Sequence, residues 1–297
     1  MRINNILVVT IFLILALLTG ASGSMKEAVS AGVSTVPDVK TGSEAQEVLK
    51  RNDDKWPADK SVTWPTEYQI ITETYITYND TMDIAIRYPQ IVNLGDEERQ
   101  IRINDLIRSE AVPGQFIDYT DKRLFTLPID YKITWQSDNL LSIQYSGMGY
   151  VKGTPHPNHF FYTTNIDIVQ VQKVKLKDIV RIDEDFVEKF RHENIRTVSP
   201  HPGALSGKKI LIDSTPFNKV DDTVRHFYEA DEVDLKGRLP SNYCYFTPDS
   251  LGISVDAPHF MGGHAEFEIK YEDIAENIKA ENAVWRDFFP RTRAGSI

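Results

Sequence analysis

Tyr131-Lys132-Ile133-Thr134-Trp135, then Ser137-Asp138-Asn139, then Leu140-Leu141-Ser142-Ile143-Gln144-Tyr145 is the stretch that decides the fold. Two strand-forming runs flank a cluster of turn residues, which is the pattern of an antiparallel hairpin. Its second strand continues to Tyr150, and Phe160 to Val174 reads as a further strand. Upstream, Tyr68, Ile70, Thr72, Thr74 and Ile76 share one side of the chain, and Asn79-Asp80 turns it into Met82 to Tyr88, a second hairpin. Between the hairpins, Asp96 to Ala111 carries Ile103, Leu106, Ile107 and Ala111 at helical spacing. Acidic Asp96, Glu97 and Glu98 lie in its first turn, where the helix dipole favours them.

The second half puts its helices first. Asp183 to Phe190 and Asp221 to Tyr228 each begin on an aspartate suited to capping, with Phe186, Val187 and Phe190, or Val224, Phe227 and Tyr228, on one face. Tyr243 to Phe246 and Leu251 to Val255 pair across Thr247-Pro248-Asp249-Ser250, Ala265 to Lys270 supplies a third strand, and a helical stretch is expected near Tyr271 to Phe289. Strands in antiparallel blocks, with helices that do not alternate strand by strand, imply an α+β fold and exclude a doubly wound sheet. The expected architecture is antiparallel sheets with packed helices in two intimately packed modules, residues 62–174 and 175–297. Residues 25–61, polar with Pro37 and Pro57 as breakers, read as a flexible tether with a short helix near Ser43 to Leu49.

With 297 residues, 41% of them hydrophobic, the chain has ample material for a large core. Its net charge of -10 repels phosphate, and no basic patch interleaved with aromatics offsets this, so nucleic acid is not an expected partner. Cys244 is the single cysteine, which excludes an intrachain disulfide; in the aromatic run Tyr243 to Phe246 it reads as a buried, inert thiol.

Met1-Arg2, the apolar run Ile6 to Leu18 and the small residues Thr19 to Ser24 have the three parts of a secretory signal. Residues 1–24 are therefore expected to act as a signal peptide, or as an anchor if uncleaved, and the rest to work on the extracytoplasmic side. Leu17-Leu18-Thr19-Gly20 is followed by Ala21, not cysteine, so no lipid attaches there. Contact with a membrane is expected only through an uncleaved leader.

Ser146-Gly147-Met148-Gly149-Tyr150-Val151-Lys152-Gly153-Thr154-Pro155-His156-Pro157, followed by Tyr162 to Asp167, resembles a family of exported proteins of Gram-positive bacteria. Tyr245 to Ile253 and Glu266-Phe267-Glu268-Ile269 resemble its closing strands. That family shares a two-part extracytoplasmic region with the lysozyme-sensing anti-sigma-V factor and with the non-catalytic part of a peptidoglycan deacetylase. The resemblance implies an α+β pair of modules of unknown biochemical activity, able in a few relatives to bind lysozyme or to sit beside cell-wall enzymes. Asp256 to Gly263 lacks the tyrosine-rich pattern usual before the last strand, and, with at most Met1 to Asn5 ahead of the apolar run, no intracellular anti-sigma segment is expected. Lysozyme sensing coupled directly to transcription is therefore not implied.

Two loops are the candidate binding surfaces. In the first, Gly153, Thr154, His156, Asn158 and His159 lie between two strands in a turn stiffened by Pro155 and Pro157. The histidines there either contact a ligand or stay solvated around a turn set by glycine and proline. In the second, Pro258, His259, Phe260 and Met261 precede Gly262-Gly263, which permit close backbone approach. The alternative is a glycine-kinked crossover with Phe260 in the core.

His156, His159, His201, His259 and His264, with Asp213, Asp256 and Glu266, would form a metal site only if folding gathered them. No His-Glu-x-x-His helix is present, so neither metal nor cofactor is expected. No catalytic residue is assigned either. The paired aspartates and His-x-x-x-His of a polysaccharide deacetylase are missing, Gly-x-Ser-x-Gly is missing, and Asp221-Asp222 is explained by a helix start. The expected function is a non-catalytic binding or sensing module for an extracellular, lysozyme-like protein or a peptidoglycan fragment. The alternative is a cell-wall hydrolase or deacetylase with a histidine and carboxylate metal site.

Overall fold

The computed structural model describes residues 43–52, 66–117, 121–191, 195–198, 202–214, 216–233 and 238–289, and these belong to one compact unit. The leader and most of the tether lie outside the described residues. The tether helix, α1 (Glu44–Asn52), is inside them and is docked. Asp83 of the first sheet, 3% exposed, accepts bonds from the Ser43 hydroxyl (2.6 Å) and the Glu44 and Ala45 amides (2.8 and 3.3 Å). A carboxylate thus meets the unpaired amides and positive dipole of a helix N-terminus, while Ala45 and Leu49 pack on Ala85.

The first sheet runs β1 (Gln69–Tyr78), β2 (Met82–Val92), β3 (Phe125–Gln136), β4 (Leu140–Val151), β5 (Asn158–Asp167) and β6 (Gln172–Lys173), in that spatial order. Both hairpins read from the sequence form. At the first turn the Asn79 side chain accepts from the Thr81 and Met82 amides (2.9 and 2.8 Å). At the second the Ser137 hydroxyl accepts from Asn139 and Leu140 (3.1 and 2.9 Å). Helix α2 (Glu97–Ala111) is capped by Asp96, which accepts from Arg99 N at 3.0 Å, and it buries Ile103, Ile107 and Ala111 completely.

Two details differ from the sequence reading. The sheet is mixed, because β3 joins β2 in parallel, Met82 opposite Phe125 through Ile86 opposite Ile129. Helix α2 and the short α3 (Gly114–Ile117) form a crossover that lets the chain pair again in the same direction. The strand expected over Phe160 to Val174 breaks after Asp167, whose carboxylate accepts from the Val169 and Gln170 amides (2.9 and 2.8 Å) and folds the chain back into β6.

The second half contains α4 (Leu176–Ile179), α5 (Glu184–Arg191), β7 (Arg196–Thr197), α6 (Pro202–Ile212), α7 (Val220–Tyr228), β8 (Asn242–Phe246), β9 (Ser250–Asp256) and β10 (His264–Lys270), with sheet order β7-β10-β9-β8. Asp183 caps α5 as expected, accepting from Phe186 N at 3.0 Å. Helix α7 departs from expectation. It begins at Val220, Asp221 lies in its first turn, Thr223 and Phe227 are the buried residues, and Tyr228 is 49% exposed. After β10 the chain makes successive turns and one 3-10 helix, Ala283–Asp287, in place of the helix expected near Tyr271 to Phe289. Tertiary packing holds this segment: Trp135 contacts Phe288 at 4.4 Å, and Asp287 accepts from Trp135 Nε1, Ser137 and Asn139 of the β3–β4 hairpin.

Strands β4 and β5 are covered on both faces where residues 141–145 pair with residues 162–166. On one, Leu141, Ile143, Tyr145, Tyr162 and Ile166 join the α2 core, where the Tyr162 hydroxyl donates to Ala111 O at 2.6 Å. On the other, polar side chains meet the outer edge of β8. Thr163 Oγ1 and Asn165 Nδ2 donate to Cys244 O (2.6 and 2.9 Å), Phe246 N donates to Ser142 Oγ (3.0 Å), and Ser142 Oγ donates to Asn165 Oδ1 (2.7 Å). Asp231, 1% exposed, accepts from Cys244 N at 2.9 Å and Leu176 N at 3.0 Å. Each such bond contributes about 1 kcal/mol net, and an abandoned buried partner costs about 1–3 kcal/mol, so this seam binds the sheets together. Burial pushes the Asp231 carboxyl and the Cys244 thiol up, the latter further because it faces Asp231. Cys244 is fully buried, as the sequence suggested.

Candidate functional site

The loop after β4 is set by backbone chemistry. Gly153 takes a φ of +90°, which a side chain would resist, and Thr154 closes the turn by donating to Val151 O from both its amide (3.0 Å) and its hydroxyl (2.7 Å). His156, Asn158 and His159 are exposed, with Asn158 opening β5 opposite Gly149. The loop after β9 is closed by Ala257 N donating to Gly263 O at 3.0 Å. It contains one 3-10 turn, His259–Met261, followed by Gly262 and Gly263 at φ values of +95° and +81°.

The two loops lie against each other although about a hundred positions separate them. The His156 and His259 rings are 5.6 Å apart, centre to centre, and tilted by 51°. His259 Nε2 is 3.3 Å from Pro157 O. A Cβ added at Gly263 would sit 3.7 Å from His159 Cβ, an ordinary van der Waals contact.

Phe260 and Met261 separate in role. Phe260 is 53% exposed, so it does not enter the core. Met261 is fully buried, and a Cβ at Gly207 of α6 would approach its sulfur to 2.7 Å. Met261 therefore anchors the loop and presents nothing to a ligand, which corrects its place among the candidate binding residues. The sequence reading missed two surface residues. Met148 pairs with His159, and Met148 and Tyr150, on the same face of β4, are 52% and 40% exposed. That face continues the Ser142–Gln144 side of the strand beyond the cover of the second sheet.

Behind the loops, His264 is a structural residue. Its ring stacks on Phe161 at 4.5 Å, and its Nε2 is 3.3 Å from Glu266 Oε1, while Gln144 donates to the other Glu266 oxygen at 3.2 Å. Asp256 stands opposite His264 in the β9–β10 ladder. Surrounding protein atoms push its carboxyl up to about 6 against a partial pull downward from His264, although the residue still reaches solvent. Asp213 pairs with Lys209 at 2.7 Å in and after α6, and His201 lies outside the described residues. Among the described residues no three His, Cys, Asp or Glu side chains are placed to hold a metal together. No described helix is long and apolar enough to cross a membrane.

An open recess of about 420 Å³ lies elsewhere, lined by Lys173, Lys177, Lys279 and polar neighbours. Its cations are occupied: Lys173 binds Glu110 at 2.6 Å, Lys177 binds Glu232, and Lys279 donates to Lys177 O at 2.5 Å.

No protein-family model and no curated protein gives a significant match to the chain. Among solved structures it is similar to a member of the DUF3298 family from Bacteroides fragilis NCTC 9343, with 14% identity, a TM-score of 0.41, and coverage of 71% of this chain and 92% of that one. It is also similar to a DUF3298 family protein from Pseudomonas aeruginosa PAO1, with 17% identity, a TM-score of 0.42, and coverage of 77% and 98%. DUF3298 denotes a domain of unknown function, and likenesses this distant carry no activity to the present chain.

Proposed function

We propose that the chain is a non-catalytic extracytoplasmic binding module, and that it recognises a protein of the lysozyme type or a cell-wall component. Its binding surface is the end of the molecule where residues 153–159 and 258–264 meet. One observation carries the reading: loops distant in sequence lie together, and beside them Met148, Tyr150 and Phe260 leave large apolar groups in water. Apolar groups clustered with polar imidazoles on a rigid sheet end are the composition of a recognition surface. The resemblance to exported proteins with a lysozyme-sensing relative supports the choice of ligands.

The test is calorimetric titration of the protein with lysozyme and, separately, with purified peptidoglycan fragments, repeated on Phe260→Ala and Met148→Ala. Binding of one ligand, weakened about tenfold or more by either truncation, is the expected result. The reading fails if neither ligand binds, or if both variants bind as the parent does.

A further inference from the structure

We propose that His156 and His259 together bind one divalent late transition-metal ion, with Zn²⁺ as the reference ion. Zinc–imidazole bonds of about 2.0–2.1 Å, at a tetrahedral angle, put the centres of two coordinating rings about 5 Å apart. The observed separation is 5.6 Å, between side chains supplied by two loops that touch through His259 Nε2 and Pro157 O.

A second observation concerns the protonation of His259. Pro157 O can only accept, so His259 Nε2 must carry the hydrogen in their 3.3 Å contact. In the neutral ring this leaves the Nδ1 lone pair available. Donation of the far ring N–H to a backbone carbonyl is the usual support of a metal-binding histidine, because it fixes both tautomer and ring orientation. The His156 ring has no hydrogen-bond partner among the described residues, and both histidines are exposed, so coordination breaks no buried interaction.

The protein supplies two ligands, since no third His, Cys, Asp or Glu joins them among the described residues. The remaining positions are filled by water or by a donor atom of a bound partner, which makes this an open site rather than a closed structural one.

Zinc chloride titrated alone into the whole protein tests the site by calorimetry, with His156→Ala, His259→Ala and, as a control on α7, His226→Ala. The expected result is one equivalent of zinc bound by the parent and by His226→Ala, with affinity at least tenfold lower in each of the other two variants. Absence of binding at millimolar zinc, or an affinity in His156→Ala or His259→Ala equal to that of the parent, would overturn the proposal. Circular dichroism of each variant, including the half-buried His226→Ala, confirms that the substitutions leave the fold intact. Because neither lysozyme nor peptidoglycan is present, this outcome is independent of the partner titrations.

Discussion

Asn165 gives the sharpest test of the account of the fold. Its side chain is 1% exposed and bridges the two sheets, donating to Cys244 O at 2.9 Å and accepting from Ser142 Oγ at 2.7 Å. Asn165→Ala removes both bonds, at about 1 kcal/mol each. It also leaves the Ser142 hydroxyl without its acceptor at the seam, for a total of about 2–3 kcal/mol. Cys244 O keeps Thr163 at 2.6 Å, which limits the damage. For a domain of this size each kcal/mol lowers the melting temperature by about 2–4 °C, so calorimetry should show a fall of about 5–10 °C in a single transition. Thr72→Ala is the control. It also loses a side-chain bond, to the Tyr131 hydroxyl at 2.7 Å, but on an exposed strand, where about 0.5 kcal/mol or less is at stake. A fall of less than about 2 °C in Asn165→Ala would refute the reasoning, as would separate melting of the two sheets in the parent.

Asp83→Ala should release α1, because a nine-residue helix does not persist without its docking site. Hydrogen exchange at Glu47 to Arg51 is expected to quicken at least tenfold while Ile103 to Ile107 keep their protection, and unchanged exchange in α1 would contradict this. Asp256 is partly desolvated by surrounding protein atoms, which push its carboxyl up from 3.8 to about 6 although the residue reaches solvent. Its contribution to stability is therefore complete below about pH 4 and is lost as pH rises through about 6. Asp256→Asn should gain on the parent in melting temperature between pH 4 and pH 7, by a small amount because the residue reaches water; a flat or falling difference counts against the shift.

Local chemistry made much of the fold legible. Asn79 and Ser137 hold their own turns, Asp96 and Asp183 cap their own helices, and α2 buries residues at its own helical period. These interactions close within a few residues, so the sequence contains both partners side by side. The two candidate loops were legible for the same reason, as glycine and proline turns between strands.

Tertiary structure decided what depended on partners far along the chain. Ser142, Gln144, Thr163 and Asn165 alternate with apolar residues in a pattern that normally faces solvent, yet β8 and Glu266 cover them, and their polarity serves the edge of a second sheet. Met148 and Tyr150 continue that same face beyond the cover and stay exposed, a distinction that periodicity cannot draw. Phe260 and Met261 are neighbours of similar character, and only the packing of Gly207 of α6 sends one inward and leaves the other in water. His156 and His259 meet because the β4–β5 and β9–β10 connections end on the same side of the seam. The sequence by itself determined most of the long strands, the hairpin turns, helices α2 and α5 and the α+β class, through contacts made within each element. The position of the candidate site arose from contacts across about a hundred residues, which only the folded chain brings together.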